Sequence, residues 1–423
     1  MNFESLGKLV HIKHGYAFKS EYFSLDTGRQ IVLTPGNFFD GGGFKLRSDK
    51  DRFYTGDFPR EFILKKNDVI IAMTEQTYGL LGSPAIIPEN DKFLHNQRLG
   101  KFELLDDSRA NLKYLYYLFC IKSLRDEISI SATGTKIRHT APERIYRIKV
   151  PLPKLDIQRK IAAVLSAYDD LIENNNRRIA ILEKMAEELY REWFVRLRFP
   201  GHEKVKVVKG VPEGWEVKDS LRVFHVLGGG TPKTENPVFW DGDIPFFTPK
   251  DSHTGYFANV TEKSITPVGL ESCNSKLYAK NTIFITARGT VGNIVLALRP
   301  MAMNQSCYAL VPKSGKHIYF HFLSMRDAVN IIKGTANSGV FDNIITDSFK
   351  QIKLFQPQEK LMSLFSDKAK PIMAQMENIV GKNALLTSIR DRLLSRLMSG
   401  KIDVEKLDIR FPESMKEEGV GHA

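Results

Sequence analysis

Between Asp156 and Phe199 the chain reads DIQRKIAAVLSAYDDLIENNNRRIAILEKMAEELYREWFVRLRF. Core positions recur through this stretch at alternating gaps of four and three residues, the spacing of a coiled-coil seam sustained over more than four heptads. The seam positions are Ile161, Leu165, Tyr168, Ile172, Asn175, Ile179, Leu182, Ala186, Leu189 and Trp193. Charged residues lie between them, as on the outer face of a solvated helix. We therefore predict one long amphipathic helix that needs a partner helix and ends at Phe199–Pro200–Gly201.

A second long helix is predicted from about Gln358, with Gly400 placed as its C-terminal cap. Its seam positions are Leu361, Phe365, Ile372, Met376, Ile379, Leu386, Ile389 and Leu393. Pro371 lies inside this helix and lacks a backbone donor, so we predict a kink or break near Lys370. Two helices with unfilled seams most simply pair with each other in antiparallel fashion, and lone Asn175 in the first seam could fix their register.

The chain also contains an internal repeat. Thr34-Pro-Gly-Asn corresponds to Thr248-Pro-Lys-Asp at an offset of 214 residues, and Gly15 corresponds to Gly229 at the same offset. Asn96-Gln97 corresponds to Asn304-Gln305 at an offset of 208, and the offset falls to 204 by Ile148 and Ile352. An offset that only shrinks is what small loop deletions produce in a duplicated domain. The repeat therefore predicts two domains of one fold.

The fold class that follows is α+β, with two similar mixed domains separated by two long antiparallel helices. Short β-branched or aromatic runs such as Ile31–Leu33, Asp68–Met73, Ile283–Ile285 and Ile294–Ala297 read as strands. Helices are predicted at about Leu112–Ile128 and Tyr319–Ile332. The predicted organisation is a first domain at 1–153, a first long helix at 154–200, a second domain at 201–356, a second long helix at 357–402 and a tail at 403–423.

Composition favours a polyanionic partner and a reducing compartment. The chain of 423 residues carries a net charge of +12, and Thr133–Lys160 alone holds eight basic residues against two acidic ones. The three cysteines, Cys120, Cys273 and Cys307, are far apart and lack the spacing of a zinc site or a disulfide framework. The first residues lack a basic and an apolar leader region, and the longest apolar run is too short to cross a bilayer. We expect a cytoplasmic protein with no membrane partner.

Motifs for catalysis are weak in this sequence. The glycine runs 41–43 and 228–230 match neither nucleotide-binding pattern and read as turns. Asn236-Pro-Val-Phe approximates the N-P-P-[YF] loop of amino-methyltransferases but departs at its third position and lies only six residues beyond Gly230. The ten histidines show no paired metal-ligand spacing, so no metal site is predicted.

Polar and basic loop residues interleaved with aromatics and glycines are the remaining candidates, because such side chains contact bases and phosphates. In the first domain they are Lys45, Arg47, Lys50, Arg52, Gln76, Tyr78, Arg98, Lys136, Arg138 and His139. In the second domain they are Lys250, His253, Arg288, Asn304, Gln305, Lys333, Asn337 and Ser338. We expect features shared by both repeats to build the fold or touch phosphate, and features that differ to read different bases.

Several segments together resemble the specificity subunits of type I restriction-modification enzymes. The strongest are Val150-Pro-Leu-Pro153 running into Gln158–Ser166, Glu192–Val195 leading to Phe199–His202, Val211–Trp215, Gly229–Lys233 and Leu393–Ile402. The resemblance covers almost the whole chain. The sequence departs from the family in a short lead-in to the first domain without a Pro-x-x-Trp segment, and in the less regular second helix.

The resemblance implies a non-catalytic subunit whose two target recognition domains each read one part of a split, asymmetric sequence of double-stranded DNA. The long helices would correspond to the family's conserved regions, which bind two methyltransferase subunits, and restriction subunits complete the nuclease. It implies no cofactor in this chain, because S-adenosylmethionine and ATP bind the partner subunits. Two alternatives stay open at this point, a stand-alone DNA adenine methyltransferase built around Asn236–Phe239 and a basic coiled-coil scaffold without sequence specificity.

Overall fold

A computed structural model describes residues 2–47, 50–76, 78–253, 255–334 and 343–416, with the side chain of His253 left out. The chain divides into two compact units. The first unit comprises Met1–Leu171 with Thr387–Ala423, and the second comprises Ile172–Leu386. Each unit contains one globular domain and a part of both long helices, so each has its own core.

The elements of the chain are bounded as follows. In the N-terminal half they are β1 Phe3–Ser5, β2 Val10–His14, β3 Phe23–Ser24, β4 Ile31–Val32, β5 Phe53–Tyr54, β6 Val69–Ala72, β7 Thr74–Glu75, β8 Pro84–Ile86, β9 Phe93–Leu94, β10 Leu99–Leu104, α1 Leu112–Cys120, α2 Lys122–Ile130, β11 Arg138–His139, α3 Pro142–Tyr146, β12 Lys149–Pro151 and α4 Leu155–Tyr190. In the C-terminal half they are β13 Val207–Val208, β14 Val211–Pro212, β15 Glu216–Asp219, α5 Ser220–Val223, β16 Phe224–Gly228, β17 Trp240–Phe247, β18 Phe257–Ala258, β19 Lys263–Ile265, α6 Pro267–Glu271, β20 Ile283–Thr286, β21 Ile294–Ala297, β22 Ala302–Met303, β23 Cys307–Pro312, α7 Ile318–Gly334, α8 Ser348–Gln351, β24 Lys353–Gln356, α9 Glu359–Met398 and α10 Glu413–Lys416.

The first unit is built on an antiparallel sheet in the order β2-β10-β6-β8. Val69–Ala72 is buried at every position, because this central strand is covered on both faces. Its sequence is therefore apolar throughout instead of alternating between apolar and polar residues. Strand β4 pairs in parallel with β9, and β1 pairs with β12, so the domain's first strand closes against its last. Helix α1 packs its aromatic residues into the same core.

The second unit repeats this topology. Its sheet runs β16-β23-β20-β21 with β18 added at the edge, β17 pairs in parallel with β22, and β15 pairs with β24. The predicted duplication and the α+β fold class are therefore confirmed. The predicted strands at Ile31, Asp68, Ile283 and Ile294 are also present. The first is one residue shorter at its end, the second is one residue shorter at both ends, and the third extends one residue further than predicted.

The two long helices pair in antiparallel fashion, which is seen within the second unit. Asn175 Nδ2 of α4 donates to Asn383 Oδ1 of α9 at 2.8 Å, and Asn383 Nδ2 donates to Asn176 Oδ1 at 2.9 Å. Just beyond the end of α4, the ring of Trp193 contacts Phe365 of α9 at 5.7 Å between centroids. Residue numbers rise along one helix as they fall along the other. The seam asparagine thus has an amide partner, as a register-fixing residue requires.

Within the first unit, the long helices are tied to the globular domain by a polar cluster. Asp169 of α4 accepts a hydrogen bond from Arg390 Nη1 of α9 at 2.6 Å and another from Tyr117 Oη of α1, also at 2.6 Å. Burial, with a contribution from the Asp169 carboxylate, raises the pKa of Tyr117, so its hydroxyl stays a donor. One carboxylate therefore joins three helices.

The prediction for the end of the first long helix is wrong, and the prediction for Pro371 in the second is contradicted in part. The first helix ends near Val195 rather than at Phe199, because the last turn widens to a π-helix over Arg191–Val195 and Leu197 then takes a positive φ of 59°. The second helix is continuous from Glu359 to Met398 through Pro371, so the predicted alternative of a break is wrong, while the other alternative, a kink, stays a prediction. Pro371 lies on the exposed face, where water can satisfy the carbonyl left without a partner, while Met373 beside it is fully buried and holds the helix.

The remaining helical predictions have mixed outcomes. The helix predicted at Leu112–Ile128 is two helices, because Ile121 takes an extended conformation between α1 and α2. Helix α7 matches the other prediction. Gly400 has a positive φ of 70° after the end of α9, as its predicted role as a cap requires. Residues 403–416, predicted as a tail, pack on the first unit, with Val404 and Met415 buried in its core.

Candidate nucleic-acid interface

The loops that carry most candidate residues of the first unit meet at one edge of its central sheet. The edge lies where β2 and β6 end and β10 begins. Met73 N, just after β6, donates to Arg98 O at 3.0 Å, and Thr140 N donates to Met73 O at 3.0 Å. Tyr16 N, just after β2, donates to His95 O at 2.8 Å. Backbone hydrogen bonds therefore connect four chain segments that are distant in sequence, and we call this the reading edge of the first unit.

The second unit has the same edge with the same backbone bonds. Ala287 N donates to Ser306 O at 2.7 Å, and Ile344 N donates to Ala287 O at 3.0 Å. These residues lie 214, 208 and 204 positions after Met73, Arg98 and Thr140, which are the offsets of the sequence repeat. Gly230 N donates to Met303 O at 3.1 Å beside them. We call this the reading edge of the second unit.

The residues that both repeats share form the backbone turns of these edges, and their side chains bond within the protein. Asn96 Oδ1 accepts from Arg98 N at 3.0 Å, and Asn304 Oδ1 accepts from Ser306 N at 3.1 Å, so each asparagine folds its own turn. A Cβ on Gly15 or Gly229 would collide with the carbonyl oxygen of the matching asparagine. Only glycine allows that approach, which explains why it stands at this position in both repeats.

The Thr-Pro turns are also equivalent. Thr34 N donates to Asn37 Oδ1 at 2.9 Å, and Thr248 N donates to Asp251 Oδ2 at 2.8 Å, and in both the threonine hydroxyl bonds the same oxygen. Asn37 is fully buried and Asp251 nearly so. These side chains cap a short 3-10 helix in each unit and are held inside the protein, away from any ligand.

Most candidate residues that differ between the repeats have exposed side chains. The exposed candidates of the first unit are Lys50, Gln76, Tyr78, Arg98, Lys136 and His139. Those of the second unit are Lys250, Arg288, Lys333 and Gln305, of which Gln305 is shared with the first unit as Gln97. Tyr78 is 70% exposed, so most of its ring is accessible from solvent. Asn337 and Ser338 lie outside the described residues, as does the side chain of His253.

Other candidates are held by partners within the domain. Arg47 Nε donates to Asp51 Oδ1 at 3.1 Å and its Nη2 donates to Thr34 Oγ1 at 3.0 Å, so it pins the Thr-Pro turn. Burial lowers the pKa of Lys45, whose Nζ lies 4.9 Å from the centre of the Phe39 ring. Arg52 donates to Asp51 O at 3.1 Å, and Asn304 is half-buried in its turn.

Arg138 is similarly engaged, and its partner was not singled out in the sequence. Its Nη1 donates to Glu75 Oε1 at 2.9 Å, and its side chain is 26% exposed while that of Glu75 is 1% exposed. No pattern local to Glu75 marks it, because the two residues are 63 positions apart. A buried carboxylate needs a cationic or hydrogen-bonding partner. The sequence feature that could have indicated such a partner is the position of Glu75 only three residues after the apolar strand β6.

The basic segment Thr133–Lys160 does not form one surface at the edge. Arg138 pairs with Glu75, whereas Lys154 Nζ lies 3.2 Å from Glu405 Oε1 and Lys160 Nζ donates to Glu405 O at 2.7 Å. Part of the charge therefore anchors the C-terminal segment. Lys136 is exposed beside the edge.

The residues that could suggest catalysis have structural roles. Asn236 Oδ1 accepts from Val238 N at 3.1 Å, so this side chain caps its own 3-10 turn instead of facing a substrate pocket. Gly41, Gly42 and Gly43 all have positive φ and form a turn. Among the described residues, no group of three or more His, Cys, Asp or Glu side chains could hold a metal ion. Within the same residues, no helix is both long and apolar enough to cross a bilayer.

Comparison with known proteins agrees with the duplicated architecture. The chain is 27% identical over 307 residues to the type I restriction enzyme MjaIX specificity subunit of Methanocaldococcus jannaschii, covering 70% of each chain. It is 24% identical over 408 residues to the HindI specificity subunit of Haemophilus influenzae, covering 80% of this chain and 87% of that one. Its fold is similar to a crystal structure of the type I restriction-modification S subunit from M. genitalium, with a TM-score of 0.52, 19% identity and coverage of 94% and 96%.

The sequence profile of the family described as "Type I restriction modification DNA specificity domain" matches residues 1–184 and 212–378. The two matched segments fall on the two repeats, and together they span 351 of the 423 residues. The chain therefore belongs to the family of type I restriction-modification specificity subunits, whose function is the recognition of DNA sequence.

Proposed function

We propose that each reading edge recognises one part of a split, asymmetric sequence in double-stranded DNA, and that this chain carries out no catalysis itself. The observation that supports this most is the equivalence of the two edges. Their backbones make the same hydrogen bonds, while the side chains differ, with Arg98 where the second unit has Ser306 and Arg288 where the first has Thr74. One scaffold with two sets of exposed side chains is suited to reading two different base sequences.

The proposal assigns the chemistry to partner subunits. Two methyltransferase subunits would bind the long helices, and restriction subunits would join them in the full complex. Exposed apolar side chains on the helices of the second unit support a protein partner there, since Ile181, Met185 and Leu385 are 50–61% exposed. S-adenosylmethionine would bind the methyltransferase subunits and ATP the restriction subunits, leaving this chain without a cofactor. A subunit that reads chromosomal DNA would work in the cytoplasm.

Two measurements test this function. Methylome sequencing of a host that carries the chain with its modification subunit should show adenine methylation in a two-part, asymmetric motif, and a host that carries the modification subunit alone should lack it. Isothermal titration of the purified chain with S-adenosylmethionine should show no binding. Tight binding of that cofactor, or methylation by the chain alone, would contradict the proposal and favour a stand-alone methyltransferase.

We expect the length of the two long helices to set the number of base pairs between the two parts of the motif. Inserting seven residues into a helix lengthens it by about 10 Å, close to the rise of about three base pairs of DNA. The insertions belong between Arg177 and Arg178 and between Gly381 and Lys382, next to the Asn175–Asn383 pair, because a heptad preserves the seam. Methylome sequencing should then show the same half-sites with a longer spacer.

A heptad inserted in only one helix provides the control for this experiment, because it breaks the pairing of the seams and should abolish methylation. A doubly lengthened chain that methylates the motif with its original spacer would contradict the prediction.

Replacing Arg288 by alanine should relax sequence selectivity at one half-site only. An arginine that bonds a guanine edge contributes about 1–3 kcal/mol of discrimination, so we expect selectivity at one base pair to fall about tenfold. The measurement is competition binding by the modification complex to DNA in which each half-site is varied separately, at fixed salt. Arg299→Ala is the matched control, because Arg299 is an exposed arginine at the opposite end of β21 from Arg288.

Unchanged selectivity at both half-sites in the Arg288→Ala complex would remove this residue from the reading edge. A general loss of affinity with unchanged selectivity would assign it to a phosphate contact instead.

A further inference from the structure

The carboxylate of Glu75 lies beneath the exposed residues of the first reading edge. Its Oε2 accepts hydrogen bonds from Gly79 N at 3.1 Å and Leu81 N at 2.9 Å, and its Oε1 accepts from Arg138 Nη1 at 2.9 Å. The residue is 2% exposed. All its bonds are made to groups of the protein, so Glu75 is not itself available to DNA.

Arg138 connects this carboxylate to the surface. It lies directly opposite Glu75 in the β7–β11 pairing, and its Nη2 donates to Ser129 O. The centre of its guanidinium lies 5.6 Å from the centre of the Tyr78 ring, within the range of a cation–π contact. One ion pair therefore fixes the guanidinium of Arg138, and through it the ring of Tyr78.

The other side of the same loop is fixed as well. Arg125 Nη1 donates to Gly79 O at 3.0 Å and to Asp40 Oδ1 at 2.7 Å, and Gly79 has a positive φ of 108°. Gly79 is therefore hydrogen-bonded through both its N–H, to Glu75, and its carbonyl, to Arg125. These contacts hold Gly79 in place, and Tyr78 beside it is further restrained by the guanidinium of Arg138.

Within its described residues, the second unit lacks the carboxylate at the centre of this arrangement. At the offset of 214 residues that relates Met73 to Ala287, the position of Glu75 is occupied by Gly289, which has no side chain. Any effect of removing the carboxylate should therefore be confined to the part of the sequence that the first unit reads.

We propose that Glu75 is a positioning residue for sequence selectivity, which holds Arg138 and, through it, Tyr78 as one reading element for the first half-site. This inference rests on the proposed function. The buried ion pair restrains the guanidinium in the free protein, so less conformational entropy is lost when the edge binds its sequence than with an unrestrained side chain.

Glu75→Gln tests the proposal in the modification complex. The glutamine keeps the shape and one oxygen that Gly79 and Leu81 can share, but it removes the charge that holds Arg138. We expect selectivity at one half-site to fall roughly tenfold while the other is unchanged. The affected half-site should be the one that does not respond to Arg288→Ala. A merely structural role would lower the active fraction and leave the ratio of affinities for right and wrong sequences unchanged at both half-sites.

Asp68→Asn is the matched control, since Asp68 pairs with Lys101 at 3.3 Å at the opposite end of β6 and should leave both half-sites unchanged. If Glu75→Gln does not fold, Arg138→Gln removes the same ion pair by changing its more exposed member. This variant should also lose selectivity at the first half-site only. Equal loss at both half-sites, or unchanged selectivity in a folded Glu75→Gln complex, would overturn the inference. A parent complex that prefers no sequence at either half-site would instead overturn the proposed function.

Discussion

Replacing Phe365 by alanine is expected to lower the free energy of unfolding of the second unit by about 3–5 kcal/mol. Phe365 is fully buried, and its ring lies 5.0–6.1 Å, between centroids, from those of four aromatic residues. These are Tyr190, Trp193, Phe194 and Phe320. The first three come from α4 and the turn after it, and Phe320 from α7, so the cavity would open where both long helices meet the globular domain. Rings on three separate elements can collapse only partly into that space.

The protein has a convenient reporter for this experiment. Its three tryptophans are Trp193, Trp215 and Trp240, and all lie in the second unit. Tryptophan fluorescence during urea unfolding therefore follows the second unit, even if the two units unfold separately. Leu364→Ala is the control, because this neighbouring side chain is 40% exposed and its removal should change the stability by about 0.5 kcal/mol or less.

If the urea concentration at the unfolding midpoint is the same for Phe365→Ala and the Leu364→Ala control, the aromatic contacts of Phe365 do not stabilise the helix pair. A lower midpoint with an unchanged slope would confirm a loss of stability without a change in the surface exposed on unfolding.

The periodic features of this fold were predictable from the sequence, because burial repeats with the geometry of the element. The seam of α4 is an example: all ten predicted positions are buried or half-buried, and the charged residues between them are largely exposed. The repeat was predictable for a related reason. Its shared residues build the backbone: Gly15 allows an approach that a Cβ would block, and Asn96 accepts a hydrogen bond that folds its own turn.

The spacing of apolar residues along the sequence does not predict where the helices end or where they become irregular. The π-turn at Arg191–Val195 ends the first helix early, and it brings Trp193 and Phe194 into the core of the second unit. Local propensity favours a break at Pro371, but burial of the flanking side chains in the core stabilises the helix by more than the missing hydrogen bond costs. In both places tertiary packing decides the outcome, and the sequence shows only the local preference.

The site was predictable as a set of residue types but not as an arrangement. Loop residues rich in Arg, Lys, Gln and Tyr were recognised, and many of them are exposed near the two reading edges. The roles of Arg47 and Arg138 depend on the buried carboxylates Asp51 and Glu75, and a sequence does not say which cation a carboxylate will meet. Candidate residues therefore separate into those that can face DNA and those that hold the loops in place.

Acidification from pH 7 to pH 4 is expected to destabilise the second unit by about 3 kcal/mol through His321 alone. Burial, with a smaller contribution from nearby His317, lowers the pKa of His321 from its ordinary value of 6.5 to about 4. Its Nδ1 is buried without a hydrogen-bond partner in the described part of the chain, and its ring packs edge-on against Phe224 and Phe320. A proton on this ring would place a charge among aromatic side chains.

The direction of the effect follows from where the proton binds. Above pH 6.5 His321 is neutral in both the folded and the unfolded chain, so its contribution is fully present. Between pH 6.5 and 4 the unfolded chain binds a proton that the folded chain does not, and the free energy of unfolding falls by about 1.4 kcal/mol per pH unit. His321→Phe cannot bind that proton, so its urea midpoint by tryptophan fluorescence should fall less between pH 7 and pH 4. His225→Ala, at an exposed position of β16, should keep the parent's full dependence, and the same dependence in His321→Phe would show that other groups cause the acid sensitivity.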